Sequence, residues 1–438
     1  MTPCPRRVRT SAVLAAGLLL TGCAVTPDTV DQPELSEGDV TITFAWWGAD
    51  DRTQQTLEAI EIFEEEYPNI TVEPQYADWA GYWDRLATMT AGGDMPDVAQ
   101  FDEMYLASYA DRGSLLDLST VSNILDVSAL EDPVLDTGSV NDTLYAVPTG
   151  AAPNALAVNT TLFEELGVDL PDFETWTWDD LHEVGLELHE ASDGEYNPLG
   201  AMCLDNFSLN VWLRQHGEDL FDREGNVAAS PETIAACWDR VAEWIDSGAA
   251  DSAHEMVENH GVPLDQTGLS QGETLIGFIA GGVFTAQQAA APQFDFVLGQ
   301  WPTDDDTADG YQYMKPSMYW SASASSDHPA ESALLMDFLT NDTRVAEIFR
   351  LDRGLPAHPQ FQEVVEPHLD ESGAMAMEFN ERAMDHVGDA PPITPNGGSV
   401  IATIQVRYGH EALLGEKSTQ QAAEEFLAEM QDSIDRSS

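Results

Sequence analysis

Between Val40 and Arg112, short extended runs alternate with helical runs at a spacing that leaves few folds open. Val40 to Trp46 (VTITFAW) alternates as a strand does, and Thr53 to Tyr67 repeats apolar positions at helical spacing through Leu57, Ile60, Ile62 and Phe63. Pro68-Asn69 stops that helix, and Ile70 to Pro74 resumes the extended form. Trp83 to Ala91 is helical up to Gly92-Gly93, Asp97 to Phe101 is a short apolar strand, and Met104 to Arg112 is again helical. Strand, helix, strand, helix, strand means a parallel sheet with crossover helices, because parallel neighbours cannot be joined by a tight turn.

Further along, Leu144 to Pro148 and Ala155 to Asn159 are extended and separated by a Gly150-Ala151-Ala152-Pro153 break. Helices follow at Trp178 to Ala191, Leu209 to His216 and Pro231 to Ser247. A second set of extended pieces comes at Leu275 to Ala280, Phe294 to Trp301 and Met318 to Ser323. The remainder is helical, most clearly at Pro329 to Leu339, Thr343 to Phe349 and Thr419 to Ile434. The 438 residues suit two or three domains with well-formed cores. Extended segments broken by glycine or proline at three places imply that the chain passes between two lobes more than once.

The N-terminus has a different character. Arg6, Arg7 and Arg9 precede a nine-residue apolar run, Ala12 to Leu20, which is too short to cross a bilayer as a permanent helix. The run closes on Leu20-Thr21-Gly22-Cys23, the small-residue-then-cysteine order that lipoprotein processing requires. Residues 1–22 are therefore expected to be an export signal, with Cys23 carrying the lipid. Residues 23–39, rich in Asp, Glu, Pro and Thr and without aromatics, are expected to form a tether. No later segment is long and apolar enough to span a membrane, so the lipid is expected to be the only anchor, on the outer face of the cytoplasmic membrane.

Charge narrows the partners. The chain has 17 Lys+Arg against 78 Asp+Glu; loss of residues 1–22 removes three arginines and no acid. Such a surface repels nucleic acid and anionic headgroups, and it disfavours anionic ligands. Only two lysines occur, Lys315 and Lys417. Once Cys4 leaves with the signal and Cys23 is lipidated, Cys203 and Cys237 remain. In an oxidising space they are expected to pair rather than stay as two free thiols. A metal site is the poorer reading, because no CxxC or His cluster lies nearby.

Four segments carry a resemblance that covers essentially the whole mature chain. They are ITFAWWG with the acidic helix after it; Ala91-Gly92-Gly93-Asp94-Met95-Pro96-Asp97-Val98; Leu144-Tyr145-Ala146-Val147-Pro148; and Arg353-Gly354-Leu355-Pro356-Ala357. In order and correctly spaced, they resemble the extracellular solute-binding proteins of ABC importers, and within them the sugar-binding branch. The resemblance implies an α/β, two-lobed periplasmic-binding-protein-like fold. Each lobe would be a mainly parallel sheet flanked by helices, with hinge strands between lobes. It also implies a monomer without a cofactor that releases its ligand to permease subunits. The expected lobe limits are 40–153 with 298–322, and 154–297 with 323–438.

Sugars present apolar C–H faces to flat rings and a rim of hydroxyls to carboxylates and amides. In open α/β sheets the ligand sits beyond the carboxyl ends of the strands. Trp46 and Trp47 are thus the first candidates for a stacking platform, one of them inward by strand alternation. Asp50 is placed to accept hydroxyls or to cap the next helix. Asp78, Trp79 and Tyr82 follow the second strand. Asp102 and Glu103 follow the third, where the resemblance implies a sugar-binding acid. Asn206, Trp212, Phe284, Tyr319 and Trp320 are candidates in the second lobe, and Trp301 lies near a hinge crossing. Arg353 could donate to a hydroxyl or pair with Asp352, the latter being favoured.

The alternative is a secreted glycoside hydrolase, which needs two carboxyls about 5–10 Å apart. No HExxH or GxxxxGK[ST] occurs, and the ten His lack metal-ligand spacing, with His254 and His260 six apart.

Overall fold

The computed structural model describes Met1 and residues 32–48 and 50–437. The export signal, Cys23 and the tether as far as residue 31 lie outside the described residues.

Among the described residues, ten strands form two main sheets and a hairpin. They are β1 (Val40–Trp47), β2 (Ile70–Ala77), β3 (Val98–Phe101), β4 (Ser139–Val140), β5 (Thr143–Leu144), β6 (Ala146–Ala152), β7 (Asn154–Asn159), β8 (Ile276–Ala280), β9 (Phe296–Gly299) and β10 (Lys315–Ala322). The large sheet runs β2-β1-β3-β10-β6. β1 is parallel to β2 and β3, and the crossovers Asp50–Glu66 and Trp79–Gly92 are the expected helices. β10 joins antiparallel between β3 and β6. The small sheet runs β8-β7-β9, and both pairings of β7 are antiparallel.

The sequence places the second strand and its neighbours well but under-reads β10. The expectation began at Met318, whereas the strand starts at Lys315 and tolerates Pro316 because its pairing with β6 is irregular there.

Both faces of the large sheet are covered. Ile42, Phe44 and Trp46 alternate onto one face and pack with Ala59, Ile60 and Phe63 of the Asp50–Glu66 helix. Ala45 and Trp47 point the other way, into Tyr82, Trp83, Leu86, Ala99 and Phe101. A sheet buried on both faces has no outward-facing side to offer, so alternation alone does not bring a β1 side chain to solvent.

Helices Pro329–Asn341, Thr343–Phe349 and Pro359–Val365 contribute Leu335, Leu339, Val345, Phe349, Phe361 and Val365 to the core of the large sheet. This corrects the assignment of all of 323–438 to the second lobe. The apolar positions of these helices close the face that the Asp50–Glu66 helix leaves uncovered. Only with Glu371–Ala383 does the chain return to the small sheet, where Ala376 and Phe379 meet Leu298 and Phe284. Helices Pro231–Ser247, Ile401–Leu413 and Thr419–Ser437 pack together on the other side of that sheet.

The chain crosses between lobes at Pro153, where β6 ends and β7 begins, and again between β9 and β10. The Arg353-to-Ala357 turn backs onto the first crossing: Ala151 N–H donates to Leu355 O at 2.9 Å and Ala357 N–H to Thr149 O at 3.1 Å. Gly150 is required there, since a Cβ would lie 2.5 Å from both the Arg353 and Leu355 carbonyl oxygens.

Cys203 and Cys237 form a disulfide across 34 residues. It ties the loop before helix Asn206–Gln215 to helix Pro231–Ser247. Replacing Cys237 by serine should lower stability by about 3–4 kcal/mol in the chain-entropy account. Denaturant unfolding of wild type and variant, both handled without reductant, checks this; a difference below about 1 kcal/mol would contradict it.

Candidate functional site

Two helices begin at facing edges of the lobes, each capped by an aspartate. Asp102, at the end of β3, caps Glu103–Asp111 by accepting from Met104 N–H at 3.0 Å. Asp205, in the other lobe, caps Asn206–Gln215 by accepting from Ser208 N–H at 2.8 Å. The Asp205 loop is tightly held: Gln405 Nε2 donates to the carbonyls of Cys203 and Asp205 at 3.1 and 2.8 Å, and Trp238 Nε1 to that of Cys203 at 3.1 Å.

Lys315 sits between them at the start of β10. Its ammonium is ion-paired with Glu103, and its charge is felt by Asp102, Asp205 and Tyr313. Burial alone would lower its pKa, but Glu103, Tyr313 and Asp102 outweigh that and hold it above the usual lysine range. Burial pushes Asp102 up to about 6, helped by Glu103 and opposed by Lys315 and the Met104 N–H. Burial likewise pushes Asp205 up to about 6 against the Ser208 hydrogen bonds and Lys315. The buried Tyr313 hydroxyl, pushed up to about 12 by desolvation, lies among Lys315, Glu103, Asn210 and Asn154. Asn206 Oδ1 accepts from Asn210 Nδ2 at 3.2 Å.

An aromatic wall adjoins this cluster in the first lobe. Tyr105 stacks on Trp83 with centroids 3.9 Å apart, and its hydroxyl feels Asp102. Trp79, 40% exposed, stands edge-on to Trp47 at 5.0 Å and lies 6.4 Å from Tyr105. Across from it, Ile393 packs against the same aromatic cluster, and the Gly398–Val400 turn approaches helix Glu103–Asp111. That segment is held by the second lobe's terminal helix, through Ser433 Oγ to Gly397 O at 2.9 Å and Asn396 Nδ2 to Ser437 O at 2.8 Å. Together these groups offer three carboxylates, one ammonium, three amides, a phenol and exposed ring faces. That set suits a polyol with both polar edges and apolar faces.

Of the residues singled out from sequence, the structure brings Asp102, Glu103, Asn206 and Trp79 to this cluster. Asp50 is exposed in the first turn of its helix, and Asp78 caps Trp79–Gly92 through Gly81 N–H at 2.8 Å. Trp46 is corrected: it is 0% exposed and sandwiched between Phe44 and Tyr76, so it cannot present a face to a ligand. Trp47, 8% exposed, serves as the inner layer behind Trp79. Tyr82 is buried and donates to Gln100 O at 2.6 Å. Tyr319 is buried beside Asp102 and Glu103, but its hydroxyl is committed to Thr137 O at 3.0 Å.

Four further candidates are core. Trp212 is buried with Nε1 on Thr233 O at 2.9 Å, and Phe284 lies under the small sheet. Trp301 is buried and packs with Trp178 and Phe278. Trp320 packs on Phe44. Arg353 pairs with Asp352 at 3.2 Å, donates to Thr56 Oγ1 at 2.6 Å and lies 3.8 Å over the Phe349 ring. Asp352 also pairs with Arg52 at 2.8 Å. The arginine is a clamp on the Arg353-to-Ala357 turn, as its pairing with Asp352 led one to expect.

Sequence reasoning missed Asp205, Asn210, Tyr313, Lys315, Tyr105 and Asn154. A signal existed for one: Lys315 is one of only two lysines in the chain.

Comparison with known proteins places this geometry. Residues 49–344 match the family described as bacterial extracellular solute-binding protein. An uncharacterised lipoprotein from Streptomyces antibioticus is 26% identical over 377 residues, 81% of this chain and 77% of the relative. A mannitol-binding protein of Pseudomonas aeruginosa is 30% identical over 166 residues, 37% of each chain. Among solved structures, a periplasmic oligogalacturonide-binding protein of Yersinia enterocolitica, in complex with saturated digalacturonic acid, superposes with a TM-score of 0.76 at 23% identity. That match covers 91% of this chain and 100% of the other.

Asp205 holds its proton more tightly folded than unfolded, where carboxyls titrate near about 4. Its contribution to stability is therefore full below about pH 4 and is lost as pH rises through about 6. Asp205→Asn keeps a good cap but removes the ionisation, so it should flatten the fall in ligand-free stability between about pH 4 and 7 by on the order of 1 kcal/mol. Parallel pH profiles of unfolding check this; identical profiles would contradict it.

Proposed function

The chain belongs to the bacterial extracellular solute-binding protein family, and from that premise we propose that it captures a neutral sugar or oligosaccharide between its lobes and delivers it to the permease subunits of an ABC importer. The observation that carries this is the convergence of Asp102 and Glu103 from one lobe, Tyr313 and Lys315 from the crossing that leads into β10, and Asp205, Asn206 and Asn210 from the other. Trp79 and Tyr105 supply rings beside it. A ligand touching both sides favours the closed arrangement, because only there are all its contacts made.

The mannitol-binding relative supports a polyol, and the lone ammonium among three carboxylates favours a neutral one. On this reading the lobes comprise 40–153 with about 315–365, and 154–312 with 371–437. The family is one of binding proteins rather than enzymes. Asp102 and Asp205 each hold a backbone N–H with a side-chain oxygen, a positioning role that fits gripping hydroxyls better than cleaving a glycosidic bond. The protein acts as a monomer on the outer face of the cytoplasmic membrane, held by a lipid on Cys23. The lipoprotein relative supports the anchor, and among the described residues no helix is long and apolar enough to cross a membrane.

A thermal-shift panel of sugar alcohols and neutral mono- to trisaccharides should contain at least one compound that stabilises the protein. At a hundredfold excess over Kd the gain is about 2.7 kcal/mol. The same compound should be recovered unhydrolysed. Asp102→Ala and Trp79→Ala should each weaken its binding tenfold or more with the fold intact; unchanged affinity in both would remove this cluster from the ligand site.

Cys23→Ala should move the protein from the membrane fraction to the medium. Persistence in the membrane fraction would disprove the lipid anchor.

A further inference from the structure

The chain crosses between the lobes just before β7 and again before β10, and the two crossings lie side by side: Lys315 pairs with Ala152, two residues before Asn154. Asn154 is 0% exposed. Its backbone is fully engaged, since its N–H donates to Gln312 Oε1 at 3.2 Å and its carbonyl accepts from Gln312 Nε2 at 2.8 Å. One glutamine thus pins the residue on both sides. The side chain differs: neither Oδ1 nor Nδ2 has a protein hydrogen-bond partner among the described residues.

The amide is turned to the Tyr313 hydroxyl, with Asn210 approaching the same hydroxyl from the second lobe. It bears on the phenol's ionisation as a weak donor, while by the distance and angle of a normal hydrogen bond neither amide atom has a partner among the described residues. Lys315 and Glu103 lie just beyond. A buried amide with an acceptor and two donors unused lowers folding stability unless something that binds there completes it.

The chemistry of the surroundings defines what completes it. The charged groups facing the floor are Asp102, Glu103 and Asp205, which only accept, and Lys315, which is already paired with Glu103. Asn154 therefore adds what the carboxylates lack, an uncharged donor alongside an acceptor on the same planar group. Two adjacent hydroxyls of a sugar ring or sugar alcohol match it, one donating to Oδ1 and the other accepting from Nδ2. A carboxylated sugar has no equivalent match and meets three acids. Because Asn154 directly follows the crossing at Pro153, it is held at the base of the cleft instead of on either rim.

We infer that Asn154, assisted by Tyr313, is a specificity-determining ligand contact on the floor of the cleft, reading a pair of adjacent hydroxyls on a neutral sugar or polyol; this rests on the carbohydrate reading above.

The test compares wild type, Asn154→Leu and Tyr313→Phe in the full-length protein. Unfolding is measured without sugar, and binding is measured with D-mannitol, maltotriose and digalacturonate as probes. Asn154→Leu, close in shape, should keep or raise the sugar-free Tm, because it removes an unpartnered amide. It should also weaken binding of whichever neutral probe wild type binds by tenfold or more. Tyr313→Phe should weaken it in the same direction by less, and digalacturonate should bind none of the three.

A sugar-free Tm several degrees below wild type in Asn154→Leu would show that the amide has a structural partner, a bound water included, and would overturn the inference. Undiminished affinity for the neutral probe would overturn it too. Should Asn154→Leu fail to fold, the inference is likewise lost unless Asn154→Ala folds with the binding defect. If wild type binds neither neutral probe, the carbohydrate panel decides the broader reading, while the sugar-free comparison still decides whether Asn154 is structurally committed.

Discussion

Lys315 brings a positive charge to the place where carboxylates from both lobes approach one another, and the cleft is arranged around that charge. Asp102 and Glu103 come from the large-sheet lobe and Asp205 from the other. With water partly excluded, their mutual repulsion is screened less than on the surface. An ammonium paired with Glu103 and felt by both aspartates offsets it. The helix starts at Glu103 and Asn206 add N–H groups that favour the same negative charges. Because Lys315 is on a crossing strand, its charge serves whichever lobe is near.

Coverage of the large sheet explains which aromatic residues are available to a ligand. Helices seal both faces, so β1 contributes Trp46 to one core and Trp47 to the other. The rings left for a ligand come from where strands have ended. Trp79 begins the helix after β2, and Tyr105 lies in the first turns of the helix after β3. This is the carboxyl edge of the parallel strands, where a sheet of this type places its ligands. The Arg353 clamp, joined through Asp352 to Arg52, holds the turn that braces β6 just before the first crossing.

A second set of constraints fixes the opposite wall. The Cys203–Cys237 disulfide, the Trp238 and Gln405 hydrogen bonds and the Asp205 cap converge on six residues, Cys203 to Ser208. A loop so held presents Asp205 and Asn206 in one orientation, so less ordering remains for a ligand to impose.

Local chemistry made much of this legible. The strand–helix alternation after Val40 determined a parallel sheet because connection length leaves no other choice, and the order of short motifs along the chain pointed to the family. Asp102 and Glu103 were visible because they end a strand. Five tryptophans and Phe284, chosen because rings bind sugars, proved to be core: aromatic surface serves packing as well as stacking, and only burial distinguishes the two. Asp205, Tyr313, Asn154 and Lys315 are spread over more than 160 positions with no shared motif. They meet only because the crossings that precede β7 and β10 lie side by side. What each segment becomes was set by its own periodicity and caps; which polar groups face one another in the cleft was decided by the crossing strands, since proximity between residues distant in sequence exists only once the lobes have packed.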